Sequence, residues 1–131
     1  MLKEYEEQKI IQYHGMIQDT REFLAKSHCT IHPSYYPEGM SNVCLESAAC
    51  GRPVITTDRS GCRETVEDGV TGYIFPQKDR EALKGKIRAF LELDHEERKK
   101  MGLAGRRKMV EEFDRRIVVE EYKKWIQGKV R

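Results

Sequence analysis

Two carboxylates stand almost alone in the middle of a highly charged chain. Charged residues make up 35% of the 131-residue sequence, so at that average residues 27–51 would hold about nine. They hold only Glu38 and Glu46, and Lys26 and Arg52 bound the gap. A charge kept where charge has otherwise been cleared is costly to bury without a partner or a task. Between the two lie Gly39, Met40, Ser41, Asn42 and Val43. Glycine lets a backbone approach a ligand closely, and Ser or Asn opens a helix. The first N–H groups of such a helix receive an anion, most often phosphate. Carboxylates only accept hydrogen bonds, which suits them to hydroxyls. Phosphate on main-chain N–H groups and hydroxyls on carboxylates together describe a nucleotide sugar. Hydrolysis by a carboxylate pair is a weaker fit, because Glu46 lies inside a helix. A structural Glu46, buried and bonded to a neighbouring strand, is the other reading of these residues.

The elements around this segment follow from pattern. Residues 1–8 read as a polar helical end, and Lys9–His14 has strand character up to Gly15. Asp19 is placed to cap a short helix through Ala25, with Phe23 and Leu24 inward. Cys29–His32 is β-prone, and residues 33–40 carry two Pro and a Gly and form a loop. Ser41 or Asn42 opens a helix over Val43–Cys50, small and apolar enough to be buried on nearly all sides, with Gly51 just beyond its end. Val54–Thr57 and Tyr73–Phe75 are further strands. The helical part spans residues 79–128. Asp79 precedes a helix with Leu83, Ile87, Phe90 and Leu91 on one face. Asp94 with Glu97 forms a capping box before Met101, Ala104 and Met109. Asp114 caps a last helix with Val118, Tyr122, Trp125 and Ile126 inward. This alternation is that of an α/β fold with a parallel sheet and covering helices. Three or four strands are visible where a doubly wound domain has five or six, so part of the sheet is expected outside residues 1–131, which read as one partial domain.

Composition narrows the function classes. A net charge of +2 lacks the cationic surplus of a dedicated nucleic-acid binder. No apolar run reaches the ~20 residues of a membrane span, and no apolar segment follows the start, so a cytoplasmic location is expected. Cys29, Cys44, Cys50 and Cys62 have no C-x-x-C or zinc-finger spacing; four reduced, buried thiols are expected, with no metal.

The segment Pro33-Ser-Tyr-Tyr-Pro-Glu-Gly-Met-Ser-Asn-Val-Cys-Leu-Glu-Ser-Ala-Ala-Cys-Gly-Arg-Pro-Val-Ile-Thr-Thr57 resembles the E-x7-E segment of retaining group 1 (family 4) glycosyltransferases with the two-Rossmann GT-B fold. Gly61-Cys-Arg-Glu64, Asp68-Gly-Val-Thr-Gly72 and Ile74-Phe-Pro76 are similar to the family's later signatures, in order. The form Glu38-Gly-Met-Ser-Asn-Val43 resembles enzymes of capsular, O-antigen or exopolysaccharide synthesis. Two departures stand out. Pro37 lengthens the loop by one residue, and Ser41 replaces a common Gly.

The resemblance implies a partial Rossmann-like sheet forming the second half of a GT-B C-terminal donor domain. It implies that Glu38 contacts donor-sugar hydroxyls near the reacting carbon and acts as the catalytic residue. It implies that Glu46 holds the ribose, and that Gly39, Met40, Ser41, Asn42 and Val43 meet the diphosphate. The implied donor is a UDP-sugar, the acceptor a glycan or lipid-linked glycan, and no metal or other cofactor is required. The family's phosphate-neutralising Arg and Lys and its N-terminal acceptor domain are absent from residues 1–131, so this chain alone is expected to be inactive and to bind donor weakly. A non-catalytic nucleotide-sugar-binding module working with a partner chain, and a plain α/β interaction domain, are the competing readings. Arg59 and Arg63 are minor phosphate candidates. His14 and His32 are expected in edge roles. The basic runs 98–100 and 106–108 are read as solvated faces, with peripheral contact to anionic lipid at the inner membrane face as the second reading. An exposed apolar face on the final helix would face the acceptor domain or favour oligomers.

Overall fold

The computed structural model describes residues 2–36 and 39–130. Three parallel strands form the sheet: β1 (Thr30–His32), β2 (Val54–Thr57) and β3 (Gly72–Phe75), in that spatial order. Register pairs Ile31 with Ile55 and Ile55 with Tyr73. The helices are α1 (Leu2–Glu7), α2 (Arg21–Lys26), α3 (Asn42–Ala49), α4 (Arg80–Glu92), α5 (His95–Glu112) and α6 (Arg115–Val130). A single 3-10 turn covers Arg63–Thr65.

The central strand explains the layering. All four residues of β2 are buried, and successive side chains of a strand point to opposite faces. Val54 therefore packs with Cys44, Cys62, Val66 and Ile74 on one side. Ile55 packs with Phe75, Phe90 and Met101 on the other. A strand apolar on both faces belongs in a parallel sheet covered by helices. Helix starts are set by short polar side chains: Ser41, Asp79 and Asp94 each accept from the N–H three residues on. Helix α5 lies close against the end of α3. A Cβ built on Gly102 would sit 2.1 Å from the Gly51 carbonyl oxygen, so only glycine permits that approach.

Several expectations are corrected. Lys9–His14 is not a strand. The segment is exposed throughout, and the Ile10 N–H folds back onto the Tyr5 carbonyl at 2.9 Å. Among the described residues β1 pairs with β2 alone, and β propensity without a ladder partner does not make a strand. Helix α3 is not buried on nearly all sides: Cys44, Ser47 and Ala48 are buried, while Asn42, Val43 and Glu46 face solvent. Leu91 is exposed and Leu93 packs instead, because the helix ends at Glu92 and the chain turns inward. Tyr122, Trp125 and Ile126 of α6 point outward, at 65%, 64% and 54% exposure. The side chain of Val118 lies outside the described residues. Of the cysteines, only Cys44 and Cys62 are buried; Cys29 is half-buried and Cys50 exposed, and all four are free thiols. No described helix is long and apolar enough to cross a membrane.

Candidate functional site

The loop–helix junction at the carboxyl edge of the sheet is held from three directions. First, the buried threonines of β2 reach across to the chain leaving β1. Thr56 Oγ1 donates to the His32 carbonyl at 2.9 Å, and Thr57 Oγ1 donates to the Ser34 carbonyl at 2.7 Å. Second, Ser47 Oγ donates to Thr30 Oγ1 at 2.8 Å and fixes α3 against β1. Third, the turn after β2 grips the loop itself. The Ser41 N–H donates to the Gly61 carbonyl at 2.8 Å. Gly61 has φ +94°, and a Cβ there would lie 2.3 Å from the Gly39 carbonyl oxygen. That is a conformation and a contact available to glycine alone.

Glu64 sets this turn. Its Oε2 accepts the Gly61 N–H at 2.6 Å, and its Oε1 accepts from Ser60 Oγ at 3.4 Å. Its own backbone N–H, the Gly61 N–H and the nearby Arg63 guanidinium hold its carboxyl below the usual range. The loop beginning at Gly39 is thus tied through Gly61 to a carboxylate three residues further along.

Ser41 is buried at 3% exposure, and its Oγ accepts the Cys44 N–H at 3.2 Å. It is the N-cap of α3, not a group presented to solvent. Helix geometry leaves the N–H groups of Asn42 and Val43 without intrahelical acceptors. These two residues are exposed, as are Gly39 and Met40. The junction therefore presents main-chain donors and the positive end of an eight-residue helix to one open face. Glu38 lies outside the described residues.

Glu46 sits four residues beyond Asn42, on the exposed side of α3. The expectation of a buried Glu46 bonded to a strand does not hold. Its Oε2 instead accepts from Thr20 Oγ1 at 3.2 Å. It joins Ile17, Gln18, Asp19, Thr20 and Arg21 around a concavity of about 400 Å³. Arg21 forms a paired contact with Asp19 at 2.8–3.0 Å, and those hydrogen bonds hold the Asp19 carboxyl down to about 2. Asp19 also accepts the Arg21 N–H, so its capping role is met one residue earlier than a helix N-cap.

The structure brings Gly39, Met40, Ser41, Asn42, Val43 and Glu46 onto one loop and the helix that follows it. The two phosphate candidates in the next turn do not join them equally. Arg59 is buried, donating to the Ser60 carbonyl and, at 2.8 Å, to Cys62 Sγ, so it stiffens the turn from within. Arg63 is exposed and lies 3.5 Å from Glu64. His14 packs on Phe23 with ring centroids 4.5 Å apart. Sequence reasoning missed the wall formed by residues 17–21, which no motif marks. The positioning role of Glu64 was readable only as a glycine followed three residues later by a glutamate.

Comparison with known proteins bears on the family and the fold. The profile for "Glycosyl transferases group 1" matches residues 1–108. The capsular polysaccharide biosynthesis glycosyltransferase CapM of Staphylococcus aureus is 32% identical over 80% of this chain and 27% of its own length. The putative colanic acid biosynthesis glycosyltransferase WcaL of Salmonella typhimurium is 31% identical over 62% of this chain and 20% of its own. The chain thus spans about a quarter or less of the length of these relatives. Among solved structures, sucrose-phosphate synthase from Thermosynechococcus elongatus superposes with a TM-score of 0.85 at 25% identity, covering 98% of this chain and 32% of that one. HepE of Anabaena, crystallised with UDP, superposes with a TM-score of 0.86 at 20% identity, covering 97% and 35%, and this likeness bears on the fold alone. The three-stranded parallel sheet with its helices is therefore the partial Rossmann-like second half of a GT-B C-terminal domain, and the chain belongs to the group 1 glycosyl transferase family.

Proposed function

We propose that residues 1–131 are the donor-binding part of a retaining transferase. Its donor is a nucleotide sugar of the UDP type, and its acceptor a glycan or lipid-linked glycan of a surface polysaccharide. The observation that carries this reading is the junction at Ser41. Gly61, held by Glu64, fixes the loop ahead of α3, whose first N–H groups lack intrahelical acceptors, and Glu46 lies about one turn on from exposed Asn42 along the same helix. A diphosphate is the anion that suits the first, and a ribose diol the hydroxyl pair that suits the second. Glu38 is proposed as the catalytic residue that grips donor-sugar hydroxyls near the reacting carbon. The concavity beside Glu46 is proposed to take the nucleoside, with Thr20 orienting the carboxylate. The names of CapM and WcaL, and the UDP bound to HepE, support the polysaccharide and donor assignments.

Catalysis in this reading is positioning and charge stabilisation at the leaving diphosphate, without a metal in the reaction. Helix α3 supplies partial positive charge but no full cation, so the isolated chain is proposed to bind donor weakly and to transfer no sugar. The outward Tyr122, Trp125 and Ile126 of α6 are proposed to face the acceptor domain, at the cytoplasmic side of the membrane. The test is a donor and acceptor screen on the full-length protein with Glu38→Gln alongside. Transfer from a UDP-sugar is expected, and Glu38→Gln is expected to lower kcat with little change in donor affinity. Transfer by residues 1–131 alone would contradict the proposal.

A further inference from the structure

Directly beneath the Ser41 junction, three elements bring a histidine and two cysteines together. His32 ends β1, Cys44 lies in the first turn of α3, and Cys62 lies in the turn after β2. One ligand atom from each falls within 4.8 Å of the other two. We infer that His32, Cys44 and Cys62 form a binding site for a thiophilic d10 metal ion of the zinc class.

The ligand chemistry selects the ion. Two thiolates and an imidazole are a soft donor set, which suits zinc or cadmium and suits magnesium or calcium poorly. Bonds of ~2.3 Å to sulfur and ~2.0 Å to nitrogen put tetrahedral ligand atoms roughly 3.4–3.8 Å apart. Closing from 4.8 Å asks for about 1 Å of movement, within reach of side-chain rotation. Two cysteines and one histidine leave a fourth position open, a known arrangement for zinc.

The frame around the three side chains is already fixed by bonds that do not use them. The Cys44 N–H donates to Ser41 Oγ. The Cys62 N–H donates to the Arg59 carbonyl at 3.0 Å, and its carbonyl accepts from Thr65 Oγ1 at 2.6 Å. The His32 carbonyl accepts from Thr56 Oγ1. An outer layer is present as well. Arg59 Nη2 donates to Cys62 Sγ at 2.8 Å, and Thr56 Oγ1 lies 3.8 Å from Cys44 Sγ. Both cysteines are fully buried, and half-buried His32 marks the side from which an ion enters. The bland alternative is that Cys44 and Cys62 serve only as small apolar residues beside Val54 and Val66.

The alternatives separate by titrating CdCl2 into the full-length protein with its thiols reduced, reading the ultraviolet thiolate-to-cadmium charge-transfer band. One equivalent is expected whose band is lost in Cys44→Ser and in Cys62→Ser and kept in Cys50→Ser. His32→Gln leaves both thiols and the buried packing in place. It is expected to weaken cadmium at least ~100-fold, beyond the 10–100-fold typical of losing an outer-layer partner. Should either serine variant fail to fold by circular dichroism, the His32→Gln affinity decides. A wild-type protein without the band, a band unchanged in the folded serine variants, or an affinity unchanged by His32→Gln would each overturn the inference.

Discussion

The two walls of the candidate donor site are built to different standards. The wall from Gly39 to Thr65 is interlocked: Ser41, Gly61, Glu64 and the threonines of β2 bond across three elements, and Ser41, Thr56, Thr57 and Thr65 are buried. The wall from Lys9 to Arg21 is exposed nearly throughout. A side-chain hydrogen bond from Thr20 to Glu46 ties it to the first wall. A diphosphate site is a fixed array of main-chain donors and gains from rigidity. A nucleoside site that opens for each donor and closes on it can tolerate a looser wall. Breaking each wall in turn should therefore give unequal effects.

The largest effect is expected at Gly61. In Gly61→Val a branched side chain must adopt φ +94° and meets the Gly39 carbonyl oxygen. The backbone conformation alone costs about 1–3 kcal/mol, read as a lower midpoint in denaturant unfolding with loss of UDP affinity. Glu64→Gln comes next. Since the folded protein holds this carboxyl below its ordinary value of 4.5, the carboxylate's contribution is complete above that value and fades as pH falls beneath it. Wild type and Glu64→Gln should thus differ in stability at neutral pH and converge on acidification, as unfolding midpoints measured across pH would record. Thr20→Val is the smallest. The Thr20 hydroxyl bonds an exposed carboxylate, where solvent screening holds the contribution to at most ~1 kcal/mol, so UDP affinity should fall by less than about 5-fold with no change in unfolding midpoint. A Thr20→Val effect as large as that of Gly61→Val would erase the contrast between the walls.

Legibility in the sequence follows the same division. The interlocked wall was readable because its constraints are local. A strand buried on both faces reads as an apolar run, and a helix start reads as Ser41 before small residues. The clearing of charge around Glu38 and Glu46 singles out the segment that leads into and forms α3. The exposed wall was misread where pairing decides the outcome. Lys9–His14 carries β-prone residues, yet a strand needs a neighbour, and among the described residues β1 pairs only with β2. Glu46 stands out in the sequence as an isolated charge, but its partner Thr20 is 26 positions away and marked by no motif. The outward face of α6 carries a periodic apolar stripe that pattern alone assigns inward. The cluster of His32, Cys44 and Cys62 is invisible in sequence, because its spacing matches no metal motif and only the sheet crossover brings the three together.

The central claim is that α3 presents its N-terminus to a diphosphate while Glu46 holds the ribose of the same ligand. Calorimetric titration of the full-length protein with UDP, in wild type and Glu46→Gln, tests it most directly. Loss of charge-assisted hydrogen bonds to the ribose hydroxyls is worth ~1.5–3 kcal/mol, so the account predicts about 10-fold weaker binding or more, with the unfolding midpoint unchanged. Equal UDP affinity in the two proteins would contradict it.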